Sequence, residues 1–132
     1  MENEKDILKS CQTIAVVGLS GDEYKTSHRV AKYLQEQGYK IIPVNPNESE
    51  ILGETCYPNL TEVPEKVDVV DIFRKSEDVP PVVEDAIKVK AGAVWMQEGI
   101  VNEASAKKAR EAGIKVVMDK CMLKEHLRLK NE

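Results

Sequence analysis

Residues Thr13–Arg29 read Thr-Ile-Ala-Val-Val-Gly-Leu-Ser-Gly-Asp-Glu-Tyr-Lys-Thr-Ser-His-Arg, and the fold follows from how they are read. Ile14 to Val17 is a short apolar run, rich in β-branched residues and ending on glycine, which is the pattern of a strand buried on both faces. Gly18 and Gly21 allow a tight turn. Thr26 or Ser27 can then cap a helix whose inward face is Ser27, Val30, Ala31 and Leu34. Strand, glycine turn and helix start make a phosphate cradle, because unpaired N–H groups and the helix dipole converge on one spot. Any parallel α/β protein needs such a turn, however, so the rest of the chain must separate a binding loop from a plain connection.

Working outward, the pattern repeats. Upstream, Asp6–Cys11 forms a short helix whose Ile7 and Leu8 can cover a sheet edge. Downstream, the first helix stops at Gly38, and Lys40–Val44 is a second strand cut off by Asn45-Pro46-Asn47. Glu48–Pro64 is irregular apart from one helical turn at Leu60–Val63. Val67–Phe73 is a third strand. Ser76–Lys90 is a helix with Pro80 and Pro81 in its first turn and Val79, Val82, Val83, Ala86 and Ile87 as its apolar stripe. Ala93–Met96 is a fourth strand, Asn102 caps an alanine-rich helix that Gly113 ends, and Ile114–Met118 is a fifth strand. Cys121–Leu129 closes the chain as a helix with Leu123 and Leu127 on one face.

Such alternation predicts an α/β, Rossmann-like three-layer fold with a five-stranded parallel sheet and right-handed crossovers. The expected strand order is 3-2-1-4-5, since the glycine turn belongs at a topological switch point. Ligand groups then gather at the carboxyl ends of the strands: Gly18–Ser20, Val44–Pro46, Phe73–Lys75, Met96–Gly99 and Asp119–Cys121.

At 132 residues the chain is read as one domain, 1–132, able to bury roughly two thirds of its unfolded surface. A net charge of −4 argues against a dedicated nucleic-acid binder. No apolar run approaches the ~20 residues of a membrane span, and Met-Glu-Asn-Glu-Lys-Asp is no signal peptide. Three widely spaced cysteines, Cys11, Cys56 and Cys121, lack any paired metal spacing, so reduced thiols in a cytoplasmic protein without a metal site are expected.

Ordinary NAD binding fits poorly. The dinucleotide fingerprint needs glycine where Ser20 and Glu23 stand, and the second strand ends on Asn45-Pro46 rather than on an acid. Lys25-Thr26 follows Tyr24, where a phosphate-loop NTPase requires glycine. Positive charge nevertheless collects at the strand ends, with Lys25, His28 and Arg29 at the first helix and Arg74 and Lys75 after the third strand. Arg29 reads as part of a solvated helix face. Arg74 is the more telling, because a guanidinium at a strand's carboxyl end can grip phosphate or stack on a purine. Trp95 reads as a packing residue and Cys121 as a half-buried thiol. Asp68 and Asp71 read as facing a helix start or the strand's edge, not as paired catalytic carboxylates.

Val-Val-Gly-Leu-Ser, Tyr-Lys-Thr-Ser-His, Ile-Pro-Val-Asn-Pro, Val-Asp-Val-Val-Asp-Ile-Phe-Arg-Lys-Ser, Val-Trp-Met-Gln-Glu-Gly and Val-Val-Met-Asp-Lys-Cys stand in this order. Together they resemble the small stand-alone CoA-binding proteins, which are similar in turn to the nucleotide-binding domain of the succinyl-CoA ligase α subunit. The resemblance runs from about residue 10 to 128. It implies coenzyme A or an acyl-CoA held across the strand ends, with Gly18, Leu19 and Ser20 at the pyrophosphate and Lys25 and Ser27 on phosphate oxygens. It further implies that Val44, Asn45, Pro46, Phe73 and Arg74 frame the adenosine, and that Gln97 and Gly99 lie nearer the pantetheine arm. Relatives usually carry Arg-Pro-Ser-Tyr where this chain has Lys25-Thr26-Ser27-His28, so the corner with His28 departs most. The ligases also carry a second domain with a phosphorylated histidine, and this chain offers only His28 and His126. The expectation is a CoA binder without a self-contained catalytic site. The alternative is a CoA- or nucleotide-dependent enzyme using Cys121 or His28, and a third reading is a binding module that answers to a protein partner. Neither the partner nor the choice between monomer and homodimer is written in the sequence.

Overall fold

The computed structural model describes residues 4–132. Five parallel strands form the sheet: β1 (Thr13–Val17), β2 (Lys40–Val44), β5 (Val69–Ile72), β6 (Ala93–Met96) and β7 (Lys115–Val117). Five α-helices accompany them: α1 (Glu4–Ser10), α2 (Thr26–Glu36), α3 (Val79–Lys88), α4 (Glu103–Glu111) and α5 (Met122–Lys130). The stretch expected to be irregular contains a small antiparallel hairpin, β3 (Glu50–Ile51) with β4 (Glu54–Thr55), before a 3-10 turn at Leu60–Glu62.

The alternating side chains of the buried strands supply two cores. Ala15, Val17, Val70, Ile72, Val94 and Met96 face α3 and α4, meeting Val79, Val83, Ala86, Ala106 and Ala109. Ile14, Val16, Val69, Trp95 and Val117 face α1, α2 and α5, meeting Ile7, Leu8, Val30, Ala31, Leu34 and Met122. The inward face expected for α2 is the buried set, Ser27, Val30, Ala31 and Leu34. On α5 the expected stripe shifts. Met122 and His126 are the buried residues, whereas Leu127 is 41% exposed. His126 is accommodated there because its Nδ1 lies 2.8 Å from the Tyr33 hydroxyl and the ring edges of Tyr33 and Tyr39 enclose it.

The three-layer parallel fold is as expected, but the strand order is not. The sheet runs β2-β1-β5-β6-β7, so the third sheet strand in chain order lies beside the first, giving 2-1-3-4-5 instead of 3-2-1-4-5. Pro43 is the physical reason. Proline has no N–H for a ladder and is confined to sheet edges. The Pro43 carbonyl accepts the Tyr57 N–H on the side of β2 away from β1, at 3.1 Å, so the missing donor faces outward too. A strand with that edge cannot be interior. The chain therefore leaves β2, crosses β1 and continues on its other side, which puts the switch point between β1 and β5.

At that switch point Gly18 (φ +92°) presses against the strand leaving β5: a Cβ there would stand 2.2 Å from the Phe73 carbonyl oxygen. Gly113 also has a positive φ (+84°), but open space surrounds its missing Cβ. Gly18→Ala is expected to cost about 3 kcal/mol or more, from strain and overlap combined. Gly113→Ala should cost about 1–2 kcal/mol, from conformation alone. Urea denaturation of both variants checks this. Equal losses would mean that the β1–β5 approach is not what requires Gly18.

Candidate functional site

The carboxyl ends of β1 and β5 and the start of α2 enclose an open cavity of about 360 Å³. Gly18 and Ser20 line it from the first strand, Lys25, Thr26 and Ser27 from the helix start, and Phe73, Arg74 and Lys75 from the third sheet strand, with Ile100 across the mouth. A second cavity of about 130 Å³ adjoins it at Arg74 and runs beneath Pro58, Asn59, Pro81 and Asp85. Both sit at the crevice that the strand order creates.

The start of α2 is organised for an anion. Lys25 occupies the N-cap position, no side chain caps the helix, and its first turn holds no acidic residue. Elsewhere the chain caps conventionally: Asn102 accepts the Ser105 N–H at 2.9 Å at the start of α4. Neither Thr26 nor Ser27 caps α2 as expected. The Ser27 hydroxyl instead accepts the Ser20 N–H at 3.0 Å. The first N–H groups of α2 are thus left unpaired, and cations stand where the dipole favours negative charge. Among the described residues, the side chains of Lys25, Arg74 and Lys75 make no ion pair or hydrogen bond.

The turn between β1 and α2 is fixed by contacts of its own. Gly18 N–H donates to Val44 O at 2.9 Å, and Asn45 Nδ2 donates to Leu19 O at 2.9 Å. His28 Nδ1 lies 2.9 Å from Ser20 O, which requires the proton on that nitrogen. The Ser20 peptide is therefore held from both sides by consecutive residues of α2. Two of the expected backbone donors, Gly18 and Ser20, are already spent within the protein. The Leu19 and Gly21 N–H groups and the Ser20 and Ser27 hydroxyl protons remain. The Leu19 side chain is fully buried.

Of the residues expected at the site, Gly18, Ser20, Lys25, Ser27, Phe73 and Arg74 converge on the main cavity, and Val44 lines the second. Asn45 fastens the turn and Pro46 is exposed beside it. Gln97 and Gly99 do not line either cavity. Gln97 is buried, and Gly99 donates its N–H to Asp119 Oδ1 at 2.7 Å, tying the loops after β6 and β7. Thr26, Ile100 and the Pro58–Asn59 wall were not expected. Thr26 and Ile100 carry no signal beyond position, and the wall becomes visible only once β2 and β5 are known to flank β1.

Trp95 is fully buried, as expected, and its Nε1 donates to Lys120 O at 2.8 Å. Asp68 faces the start of β1, not of a helix, accepting the Gln12 and Thr13 N–H groups with Oδ2. Asp71 faces neither a helix start nor an edge. It is wholly buried in the middle of the sheet, where Gln97 Nε2 donates to its Oδ1 at 2.5 Å and its Oδ2 has no partner. Burial pushes this carboxyl up to about 7, opposed only by the Gln97 hydrogen bond. Among the described residues, no group of three His, Cys, Asp or Glu side chains is placed to hold a metal ion.

Comparison with known proteins agrees with this architecture. The family model described as "CoA binding domain" matches residues 12–127. The chain is 43% identical over 122 residues to the uncharacterized protein YneT of Bacillus subtilis, covering 92% of this chain and 90% of that one. It is 33% identical over 121 residues to acetate–CoA ligase [ADP-forming] I of Archaeoglobus fulgidus, covering 84% of this chain but only 18% of the ligase. A hypothetical protein from Pyrococcus horikoshii superposes with a TM-score of 0.92 at 42% identity, covering 97% of this chain and 92% of that structure.

Asp71 makes stability depend on pH. Its folded pKa lies above the unfolded value of about 3.9, so the folded chain holds more protons between these limits and its contribution falls as pH rises from about 4 to about 7. Asp71→Asn keeps an acceptor for Gln97 and removes the titration. Chemical denaturation at stepped pH should show the variant gaining on the native chain between about pH 4 and about pH 7, with the difference constant above that. Identical slopes for the two proteins would mean that Asp71 is ionised when folded.

Proposed function

Because the chain belongs to the CoA-binding domain family, we propose that it binds coenzyme A or an acyl-CoA in the cavity between β1 and β5. The observation that carries this reading is the uncapped, cation-flanked start of α2 facing that cavity. An isolated helix start with lysine at the N-cap and no acid in its first turn is electrostatically unfavourable. A pyrophosphate reverses the sign of that interaction and supplies acceptors for the unpaired N–H groups.

The residues present fit such a ligand. Leu19 and Gly21 N–H, the Ser20 and Ser27 hydroxyls and the first turn of α2 meet the pyrophosphate. Ser27 can accept from Ser20 and donate to a phosphate oxygen at once, because a hydroxyl does both. His28 keeps the Ser20 peptide in place for that contact. Lys25, Arg74 and Lys75 balance the charge of the phosphates, and Arg74, shared between the two cavities, lies where phosphate gives way to nucleoside. The smaller cavity takes the purine against Pro58 and Pro81, with the Asp85 carboxylate as an acceptor for its amine. These residues bind and orient. None of them forms an activated nucleophile with a base.

Charge-assisted contacts to phosphate are worth about 1.5–3 kcal/mol, so Arg74→Ala should weaken CoA binding by about one to two decades. Stability should change little, since the guanidinium has no partner among the described residues. Calorimetry with CoA, dephospho-CoA and NAD extends the test: CoA is expected to bind tightest and NAD weakest, with affinity falling as salt rises. Unchanged affinity in the variant would remove Arg74 from the site. Equal binding of CoA and dephospho-CoA would remove the 3′-phosphate from what the cations read.

A further inference from the structure

Arg74 and Lys75 stand just past the end of β5, and their backbone has few anchors of its own. Phe73 N–H donates to Val17 O at 2.8 Å on one side of them. On the other, Asp78 N–H donates to Lys75 O at 2.8 Å, in the 3-10 turn Ser76–Asp78 that leads into α3. Among the described residues, neither the Arg74 nor the Lys75 N–H makes a hydrogen bond.

Ser76 is where this segment is fastened. Its hydroxyl accepts the Val101 N–H at 3.1 Å, and its carbonyl accepts from Asn102 Nδ2 at 2.9 Å. Both partners belong to the loop after β6, which also carries Ile100 across the cavity mouth. The residue that follows the cations is thus tied to the two residues that follow Ile100. Two sides of the cavity are joined behind its wall.

Asn102 has a second task, since its Oδ1 accepts the Ser105 N–H at 2.9 Å and caps α4. The amide's orientation follows from its partners: the oxygen faces the Ser105 donor and the nitrogen the Ser76 carbonyl. Capping alone does not call for asparagine. Aspartate caps as well, and its charge is favoured at the positive end of a helix. What aspartate cannot supply is a donor, and here the donor reaches the segment that holds Arg74 and Lys75.

We propose that Asn102, acting through Ser76, is a positioning residue that sets Arg74 and Lys75 for the phosphates of CoA. One side chain then serves both the cap of α4 and the cation side of the binding cavity. This rests on the CoA reading above and adds to it two residues that line neither cavity.

Asn102→Asp tests it, because the variant keeps the cap and loses the donor. Urea denaturation should show less loss than for Asn102→Ala, which loses both. In the ligand-free chain the NMR amide signals of Arg74 and Lys75 are expected to shift. CoA affinity, read by NMR titration, should fall about three- to tenfold. In a chain that already carries Arg74→Ala and Lys75→Ala, Asn102→Asp should cost no further affinity, since the groups it positions are gone. That arm separates positioning from a general loosening of the fold, and from repulsion of CoA by the new carboxylate, both of which would persist. Ser76→Ala adds no charge and frees only Val101, so it should weaken CoA less, and again only while the two cations are present.

The proposal is overturned if Asn102→Asp binds CoA as the native chain does, or weakens it equally with and without the cations. It is equally overturned if the ligand-free Arg74 and Lys75 amides stay in place. A native chain that binds no CoA overturns the CoA reading and this proposal with it. That failure is told apart from failure of the clamp because it is seen before any substitution is made.

Discussion

One missing hydrogen-bond donor sets the layout of this molecule. Pro43 has no N–H to donate on the outer side of β2, so β2 must be an edge, and the chain has to cross β1 to continue the sheet. That crossing places β5 against β1 and opens the crevice between their carboxyl ends. The close approach of Gly18 to Phe73, the position of Arg74 and the neighbourhood of the two cavities all descend from it. Had β2 been interior, Arg74 would have emerged on the far side of β2 from the glycine turn. The crevice depends on an edge strand that lines it only at Val44.

Within the crevice, stability and binding pull in opposite directions. The turn after β1 is rigid: Gly18, Leu19 and Ser20 are tied to Val44, Asn45, Ser27 and His28. The start of α2 beside it lacks a cap and carries cations at its positive end. A helix optimised for stability would place an acid or a capping side chain there, as α4 does with Asn102. Rigid backbone and unsatisfied electrostatics together are what the proposed binding of CoA rests on.

Much of this was legible in the sequence, and the failures are instructive. The five sheet strands, the buried face of α2 and the Asn102 cap follow from periodicity and turn chemistry, which are local. Strand order is not local. Pro43 carried the information, yet an apolar Ile-Ile-Pro-Val run reads as a buried strand unless its missing donor is weighed against the sheet's interior. Asp71 was misplaced for a related reason, because alternation with valine says which face a side chain takes but not whether that face is wet. On α5, spacing puts Leu123 and Leu127 on one face, while His126 is buried because Tyr33 gives it a partner from a distant helix. Strand-end positions bring Gly18, Ser20, Ser27, Phe73 and Arg74 to one cavity, while Gln97 is buried against the Asp71 carboxyl.

The outward face of Pro43 has a consequence for how folded copies of this chain meet. An edge strand normally offers a row of free donors and acceptors to any extended segment that passes, which is how sheets recruit further strands into aggregates. Here the row is broken where Pro43 has no donor, and its carbonyl is taken by Tyr57. Tyr57 O also holds the Asn45 N–H at 2.9 Å, so the last stretch of β2 is shielded. At the other margin β7 is only three residues long and begins with an exposed lysine. Growth of the sheet by templating is thus discouraged at both margins, and at the β2 margin by the residue that also gives the crevice its place.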